Sequence, residues 1–346
     1  MKKTKSFILI ITTAILFYNC ESNTEDLTTD PIGEPQEDSE LNRNLSFEEV
    51  YAFEDDLLGG PYIGMTYSSN DNNLFISSRE NAPAGSTTEE EVFKLSLDSY
   101  QLMRKNVSPG GFITKQLTTI NDTLVSIGGT EFKFYDTSFE YAGEKSYGNN
   151  FTLSKFGIAT HNNDTYILGG YRVDGPSREN KKIRKLRGNI TGNQFEEFIN
   201  TSETMIGASG AIVNERLHVF GGALYEDFEA TNKIFIYPLN NPQSYEEFSM
   251  TVKADVTFVH KYGEMILVAG HKGLYETDKT SFVGLFDTTT NTFEEIKTNL
   301  DSESGTKAIH QMIVKEDKII VLFGHKASSQ LPMSKWSILS ADLLKD

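Results

Sequence analysis

Cysteine is almost absent, with Cys20 the single one among 346 residues. An intrachain disulfide is therefore excluded, and stability has to come from an apolar core and backbone ladders. Beyond residue 20, no apolar run reaches the length of a membrane-spanning helix. Basic residues are scarce, 32 against 49 acids, for a net charge of −17. Nucleic-acid binding needs clustered Lys and Arg to neutralise phosphates, so that class of partner is set aside. The six histidines stand singly, without metal-ligand spacing, and no metal or cofactor is expected. No glycine-rich loop of the kind that cradles phosphate opens onto a helix.

What is present is enough for a sizeable core: 38% of residues are hydrophobic and 11% aromatic. A single all-β domain can be this large. The first residues differ from the rest. Lys2, Lys3 and Lys5 precede a stretch from Phe7 to Tyr18 that is nearly all apolar or Thr, and Cys20 follows directly. So short a stretch reads as a signal peptide and not as a permanent span. With its cysteine, this segment resembles a bacterial lipoprotein signal. The resemblance implies that residues 1–19 are removed and that Cys20 is lipidated as the new N-terminus, anchoring the chain to a membrane without threading it. Leu16-Phe17-Tyr18-Asn19 departs from the small residues usual at that cleavage site, which leaves open an ordinary signal peptide with an incidental cysteine.

Residues 20–44 read as a lipidated cysteine and a disordered acidic tether. Glu21, Glu25, Asp26, Asp30, Glu34, Glu37, Asp38 and Glu40 face Arg43 alone, with Pro31 and Pro35 among them. Such a segment cannot bury enough apolar surface to fold. Acids just after the cysteine are similar to the surface-export signals of Bacteroidetes lipoproteins, although a plain solvated spacer has the same composition. The expected location is the bacterial outer membrane, facing either the periplasm or the cell surface.

From residue 45 to 346 one unit recurs: an apolar strand, a turn, a second apolar strand ending in small residues, a variable loop, then another hairpin. The second strand returns as Leu74-Phe75-Ile76-Ser77-Ser78, Leu124-Val125-Ser126-Ile127-Gly128-Gly129, Tyr166-Ile167-Leu168-Gly169-Gly170, Leu217-His218-Val219-Phe220-Gly221-Gly222, Ile266-Leu267-Val268-Ala269-Gly270 and Ile320-Val321-Leu322-Phe323-Gly324. The strand is preceded each time by turn residues such as Asn121-Asp122, Asn162-Asn163-Asp164 or Asn214-Glu215, types that tolerate the positive φ of tight hairpins. The small residues suit crowding near a ring axis, where a strand end without Cβ can turn away.

The fifth copy continues as Leu285-Phe286-Asp287-Thr288-Thr289-Thr290-Asn291-Thr292-Phe293, and an outer-strand signature recurs as Phe195-Glu196-Glu197-Phe198, Tyr245-Glu246-Glu247-Phe248 and Phe293-Glu294-Glu295-Ile296. These motifs, recurring about every 50 residues, resemble kelch repeats. The resemblance implies an all-β, six-bladed kelch-type β-propeller with four-stranded antiparallel blades. The same signature appears early as Phe47-Glu48-Glu49-Val50, while the sixth copy stops near Trp336-Ser337-Ile338-Leu339. The last blade is therefore expected to be closed by an N-terminal strand. Ser77-Ser78 replaces the glycine pair in the first copy, and the fifth and sixth keep one glycine each.

In kelch-type propellers, the loops after the pair and those between blades share one face. The repeat alignment places Arg79, Tyr171, Arg172, Tyr225, His271, Lys272, His325 and Lys326 there, with Tyr62, Lys115, Lys155, Met205, Asp255, Lys307 and His310 before the innermost strands. Cations gathered in a cleft attract an anion even against a negative background. The expectation is a binding site for an acidic glycan or a protein partner. Arg79 and Arg172 would hold a carboxylate in bidentate fashion, and Tyr171 and Tyr225 would stack on a ring. Each cation could equally neutralise a neighbouring acid. Two other readings stay open. One is a small-sugar enzyme of the sialic acid epimerase or polysaccharide lyase kind, with His271, His325 or His310 as base. The other is a scaffold in a surface complex. Copper oxidases of this fold need a cysteine–tyrosine cross-link that the lone Cys20 does not offer.

Overall fold

In the computed structural model, the residues described are 40–345 apart from 54–63, 69–71, 80–88, 110–115, 121–122, 129–130, 137–138, 147–152, 163, 173–179, 187–195, 204, 225–228, 273–279, 301–306 and 326–335. All lie in one compact unit, Ile32–Asp346. Cys20 and the leader lie outside the described residues. Among those described, every long element is a strand and none is an α-helix.

Two short strands come first, β1 (Asn44–Leu45) and β2 (Glu48–Phe53). A four-stranded antiparallel meander follows, made of β3 (Gly64–Ser68), β4 (Asn73–Arg79), β5 (Glu89–Ser96) and β6 (Leu102–Pro109). A second holds β7 (Gln116–Ile120), β8 (Thr123–Ile127), β9 (Glu131–Tyr135) and β10 (Tyr141–Ser146). The third is built from β11 (Leu153–His161), β12 (Asp164–Arg172), β13 (Lys182–Leu186) and β14 (Glu196–Asn200). A small pair joins β15 (Met205–Ile206) to β18 (Ala223–Leu224).

Between and after these come β16 (Ser209–Val213), β17 (Arg216–Phe220), β19 (Thr231–Pro238), β20 (Glu246–Tyr262), β21 (Met265–Lys272), β22 (Thr280–Asp287) and β23 (Thr292–Thr298), which share one eight-stranded sheet with β1. The fourth separate four-stranded sheet has the order β2, β26 (Trp336–Asp342), β25 (Lys318–His325), β24 (Lys307–Lys315). The N-terminal strand thus lies outermost on the C-terminal sheet, pairing Glu48 with Ser340 and Phe53 with Trp336.

Six separate blades are not what stands in the structure. Four four-stranded sheets stand apart among the described residues, and the fourth and fifth copies are merged. The reason is β20, which runs 17 residues without a Gly or Pro to break it. Its first half pairs with β19 as far as Ala254, and its second half pairs with β21 after a bulge between Ala254 and Val256.

Each second strand is covered by a neighbouring sheet on both faces, which is why it is apolar in nearly every position instead of alternating. In β21, Ile266, Leu267, Val268 and Ala269 are all fully buried. Outer strands face solvent on one side, as β23 does with exposed Glu295 and Lys297 around buried Ile296. Six apolar clusters join consecutive meanders. Phe75 meets Leu124 and Tyr135; Val125 and Ile127 meet Phe156 and Ile167; Leu168 meets Leu217 and Phe235. Further on, Phe220 meets Ile266 and Phe286, and Leu267 meets Ile319 and Val321. Finally, Ile320 and Trp336 meet Leu74 and Phe93, so the end of the chain returns to its beginning. The result is a propeller-like ring of four-stranded sheets, with the eight-stranded sheet as one arc.

The glycine pair is explained in the third copy. Gly169 and Gly170 have φ of 58° and 77°, a region costly for residues with a Cβ. A Cβ on Gly169 would also stand 2.2 Å from the Met205 carbonyl oxygen of the next meander. Gly169→Ala should therefore lower unfolding stability by about 2–4 kcal/mol, measured by denaturant titration. A second test concerns pH. His218 is buried at 1% exposure, donates from Nδ1 to the Arg216 carbonyl at 2.9 Å, and sits edge-on to Phe286. Burial drives its pKa down to about 4. The unfolded chain binds the extra proton below about pH 6.5, so this contribution is whole above that pH and is lost as pH falls towards 4. The stability of the wild type relative to His218→Leu should decline by about 2–3 kcal/mol from pH 7 to pH 4.

Candidate functional site

Strand direction gives the ring two unlike faces. The turns between first and second strands lie on one of them, here the turn face. Both described ends of the chain lie there too: Leu343 N donates to the Asp317 carbonyl at 2.7 Å, Asn42 N to the Leu343 carbonyl at 2.7 Å, and Lys345 N to the Glu40 carbonyl at 2.9 Å. On this face, acids of successive turns fasten one meander to the next. Glu215 holds His161 at 2.8 Å, Glu264 accepts from Asn214 at 2.6 Å, and Asp317 accepts from the Tyr262 hydroxyl at 2.7 Å. Burial and the Asp317 carboxylate both push the Tyr262 phenol above its ordinary range.

The opposite, loop face carries the ends of the second strands and the starts of the innermost ones. Its seams are stitched by backbone as well as side chains. Gln116 Nε2 donates to the Phe156 carbonyl at 3.1 Å, Gly207 N to the Lys155 carbonyl at 2.8 Å, and Thr257 N to the Gly207 carbonyl at 3.2 Å. Lys155 has φ of 52° and lies inside β11, between the Ser154–Tyr171 and Phe156–Gly169 pairs of its ladder with β12.

The sequence-predicted residues separate at this face. His271 is buried at 6% exposure, with Nε2 donating to the Ile309 carbonyl at 2.6 Å and its ring edge-on to Phe258. It is a seam residue. Lys272 forms an ion pair with Glu295 of the outer strand β23, each side chain about one-third exposed. Such a pair contributes at most about 1 kcal/mol and directs the cation away from the axis. Met205 is core at 3% exposure. His310 occupies a bulge between Ile309 and Gln311, its ring 4.6 Å from that of Trp336. Asp255 lies at the β20 bulge. Arg79, Lys307 and His325 lie at strand ends, where only their backbone is described. Tyr62, Lys115, Tyr225 and Lys326 lie outside the described residues.

Tyr171 and Arg172 end β12, directly after the two left-handed glycines, in register with Ser154 and Leu153 of β11. Both are half-buried, and Arg172 Nε is buried. The repeat alignment passes over Arg184 of β13, which lies in register with Ile167 of β12. Burial holds its guanidinium pKa below the ordinary range; the Glu197 carboxylate opposes that, and the charge of Arg172 adds to it. Arg184 Nη1 donates to Asn180 Oδ1 at 2.9 Å, and Asn180 Nδ2 donates to the Gly169 carbonyl at 2.6 Å. Asn180, itself 3% exposed, thus ties Arg184 to the glycine kink that carries Arg172.

Glu197 is already engaged by Lys182 and by Asn200 Nδ2. A signal for this region exists in the sequence: Arg178, Lys181, Lys182, Arg184, Lys185 and Arg187 follow Arg172 closely, in a chain otherwise dominated by acids. Some of that charge is neutralised locally, as in the Lys185–Asp164 pair at 2.5 Å. No group of three metal-ligating side chains comes together among the described residues. No known protein family and no curated protein matches the chain.

If His271 serves the seam, its removal is a matter of stability. His271→Leu should lower the unfolding free energy by about 1–3 kcal/mol, through the Ile309 carbonyl left without its donor, and should leave the affinity for any loop-face ligand within twofold. Denaturant titration and a binding isotherm on the same variant check both halves.

Proposed function

We propose that the chain is a six-bladed kelch-type propeller, held at the bacterial outer membrane by a lipid on Cys20, whose loop face binds an anionic ligand, an acidic glycan first and an acidic protein partner second. Six blades are supported by the six apolar seams and by the two halves of β20, one ending the fourth meander and the other starting the fifth. The kelch assignment is supported by the left-handed Gly169-Gly170 and Gly221-Gly222 pairs. The Asp287 carboxylate adds to it by capping its turn, accepting from Thr289 N at 2.8 Å.

The observation that carries the ligand reading is the placement of Lys155 and Arg172 at the loop-face ends of β11 and β12, while the turn-face acids Glu215, Glu264 and Asp317 serve contacts between meanders. In a chain of net charge −17, cations gathered on one face would attract anions there. A binding role fits the lipid anchor better than catalysis does, because His271, one of the candidate bases, spends its Nε2 proton on a backbone carbonyl.

The test is an array of neutral, carboxylated and sulfated glycans probed with the full-length protein. Carboxylated sugars should be retained over neutral ones, with binding weakened at least tenfold by Arg172→Ala and falling as salt is raised. Equal retention of neutral and acidic sugars, or indifference to Arg172→Ala, overturns the reading.

A further inference from the structure

The outer strands of the meanders are edges, and one edge differs from the rest. β6 is the last strand of the first meander, with β5 as its neighbour and no strand beyond it among the described residues. Three large apolar side chains are exposed among those residues, and two of them, Leu102 at 46% and Met103 at 60%, open β6. Met103 is the extra residue of a bulge, since Leu102 stands opposite Leu95 and Arg104 opposite Lys94. From Arg104 to Pro109 the ladder with β5 is regular.

Charge sets β6 apart as well. β2, β10, β14 and β23, and the first half of β20, each carry at least one Glu, whereas β6 carries Arg104 and Lys105 and no acid. Charged residues on an edge ordinarily deter pairing between like chains. In a chain of net charge −17, acids serve that purpose; cations on an edge invite an acidic strand instead.

The molecule also shows how such an edge takes a further strand. β1 lies along the outer edge of β23, with Asn44 opposite Lys297 and Leu45 opposite Thr298, and Leu45 is buried at 1%. A short extended segment with one apolar anchor is enough to occupy the edge.

We propose that the outer edge of β6 is a docking site for an acidic, extended segment of a partner protein, which adds to the first meander as a fifth strand. Main-chain hydrogen bonds along the edge supply affinity, apolar residues of the segment cover Leu102 and Met103, and its acids match the charge of Arg104 and Lys105. Arg104 stands opposite Lys94 in the ladder, a like-charge placement that an incoming carboxylate relieves. A second whole copy of the chain fits less well, because two bodies of net charge −17 repel each other. This site lies on an outer strand, away from the loop face, and does not depend on the acidic-glycan reading.

The experiment uses the full-length protein and two soluble peptides, one of alternating Glu and Val and one of alternating Lys and Val. Calorimetry measures binding, hydrogen exchange read by mass spectrometry follows the β6 amides, and sedimentation follows self-association. The wild type should bind the Glu–Val peptide and not the Lys–Val peptide, and the β6 amides should exchange more slowly in the complex. The double variant Arg104→Glu, Lys105→Glu should weaken Glu–Val binding about tenfold. It should also acquire binding of the Lys–Val peptide, which shows that the variant is folded. Met103→Glu should weaken Glu–Val binding, and Arg172→Ala should leave it unchanged. No binding by the wild type, equal binding of both peptides, or unchanged exchange of the β6 amides overturns the proposal. So does loss of binding in Arg172→Ala, which would put the peptide on the loop face and leave the acidic-ligand reading standing. Self-association of the peptide-free protein that Met103→Glu abolishes would assign the edge to a second copy, and the proposal falls in that case too.

Discussion

A second strand apolar on both faces has no stable place at the end of a stack, because one of its faces would meet water. That requirement governs this structure. Every meander has to find a neighbour on each side, and the only arrangement that satisfies all of them is a ring in which the last sheet packs on the first. The contact of Ile320 and Trp336 with Leu74 and Phe93 is where the condition is met. Closing the circle then falls to the backbone. β2 brings residues from the start of the described chain onto β26, and Ser337 Oγ donates to Glu49 across that seam at 2.6 Å.

Much of this was legible in residue pattern. Apolar second strands, Asn/Asp turns and the early Phe47-Glu48-Glu49-Val50 signature carry their own physical reasons, and those reasons survive folding. The merger of the fourth and fifth copies was less legible. A strand that ends one sheet and begins the next shows no breaker, and the repeat pattern sees only that both ends are β. The positions after the small residues were read too uniformly. After the left-handed Gly169-Gly170, Tyr171 and Arg172 stay in register with β11 but not with β13. After the single Gly270, β21 runs on in register with both β20 and β22 through His271 and Lys272, and those two become ladder residues with seam and outer-strand partners. Arg184 was missed because it belongs to a third strand, outside the aligned loop positions, and is tied to the Gly169 carbonyl only through Asn180.

The two faces also divide labour in their chemistry. On the turn face, carboxylates meet donors from the neighbouring meander, and their acceptor capacity goes into holding seams. On the loop face, main-chain groups do much of that stitching, as in the Gly207–Lys155 and Thr257–Gly207 bonds. A fold can carry net charge of one sign and still present the other sign at one site, provided its acids are assigned elsewhere.

The pairing of β2 with β26 has a consequence for how the chain comes into being. Glu49 and Ser337 are 288 residues apart, so β2 is made long before β26, its partner. During synthesis, each meander can form as it emerges, but the outer place on the final sheet stays vacant until residue 342 is made. Through that interval β2 is an orphan edge, exposed to pairing with other chains. Its Glu48 and Glu49 make such encounters repulsive in a population of equally acidic copies. The strand that completes the ring therefore carries its own protection while it waits.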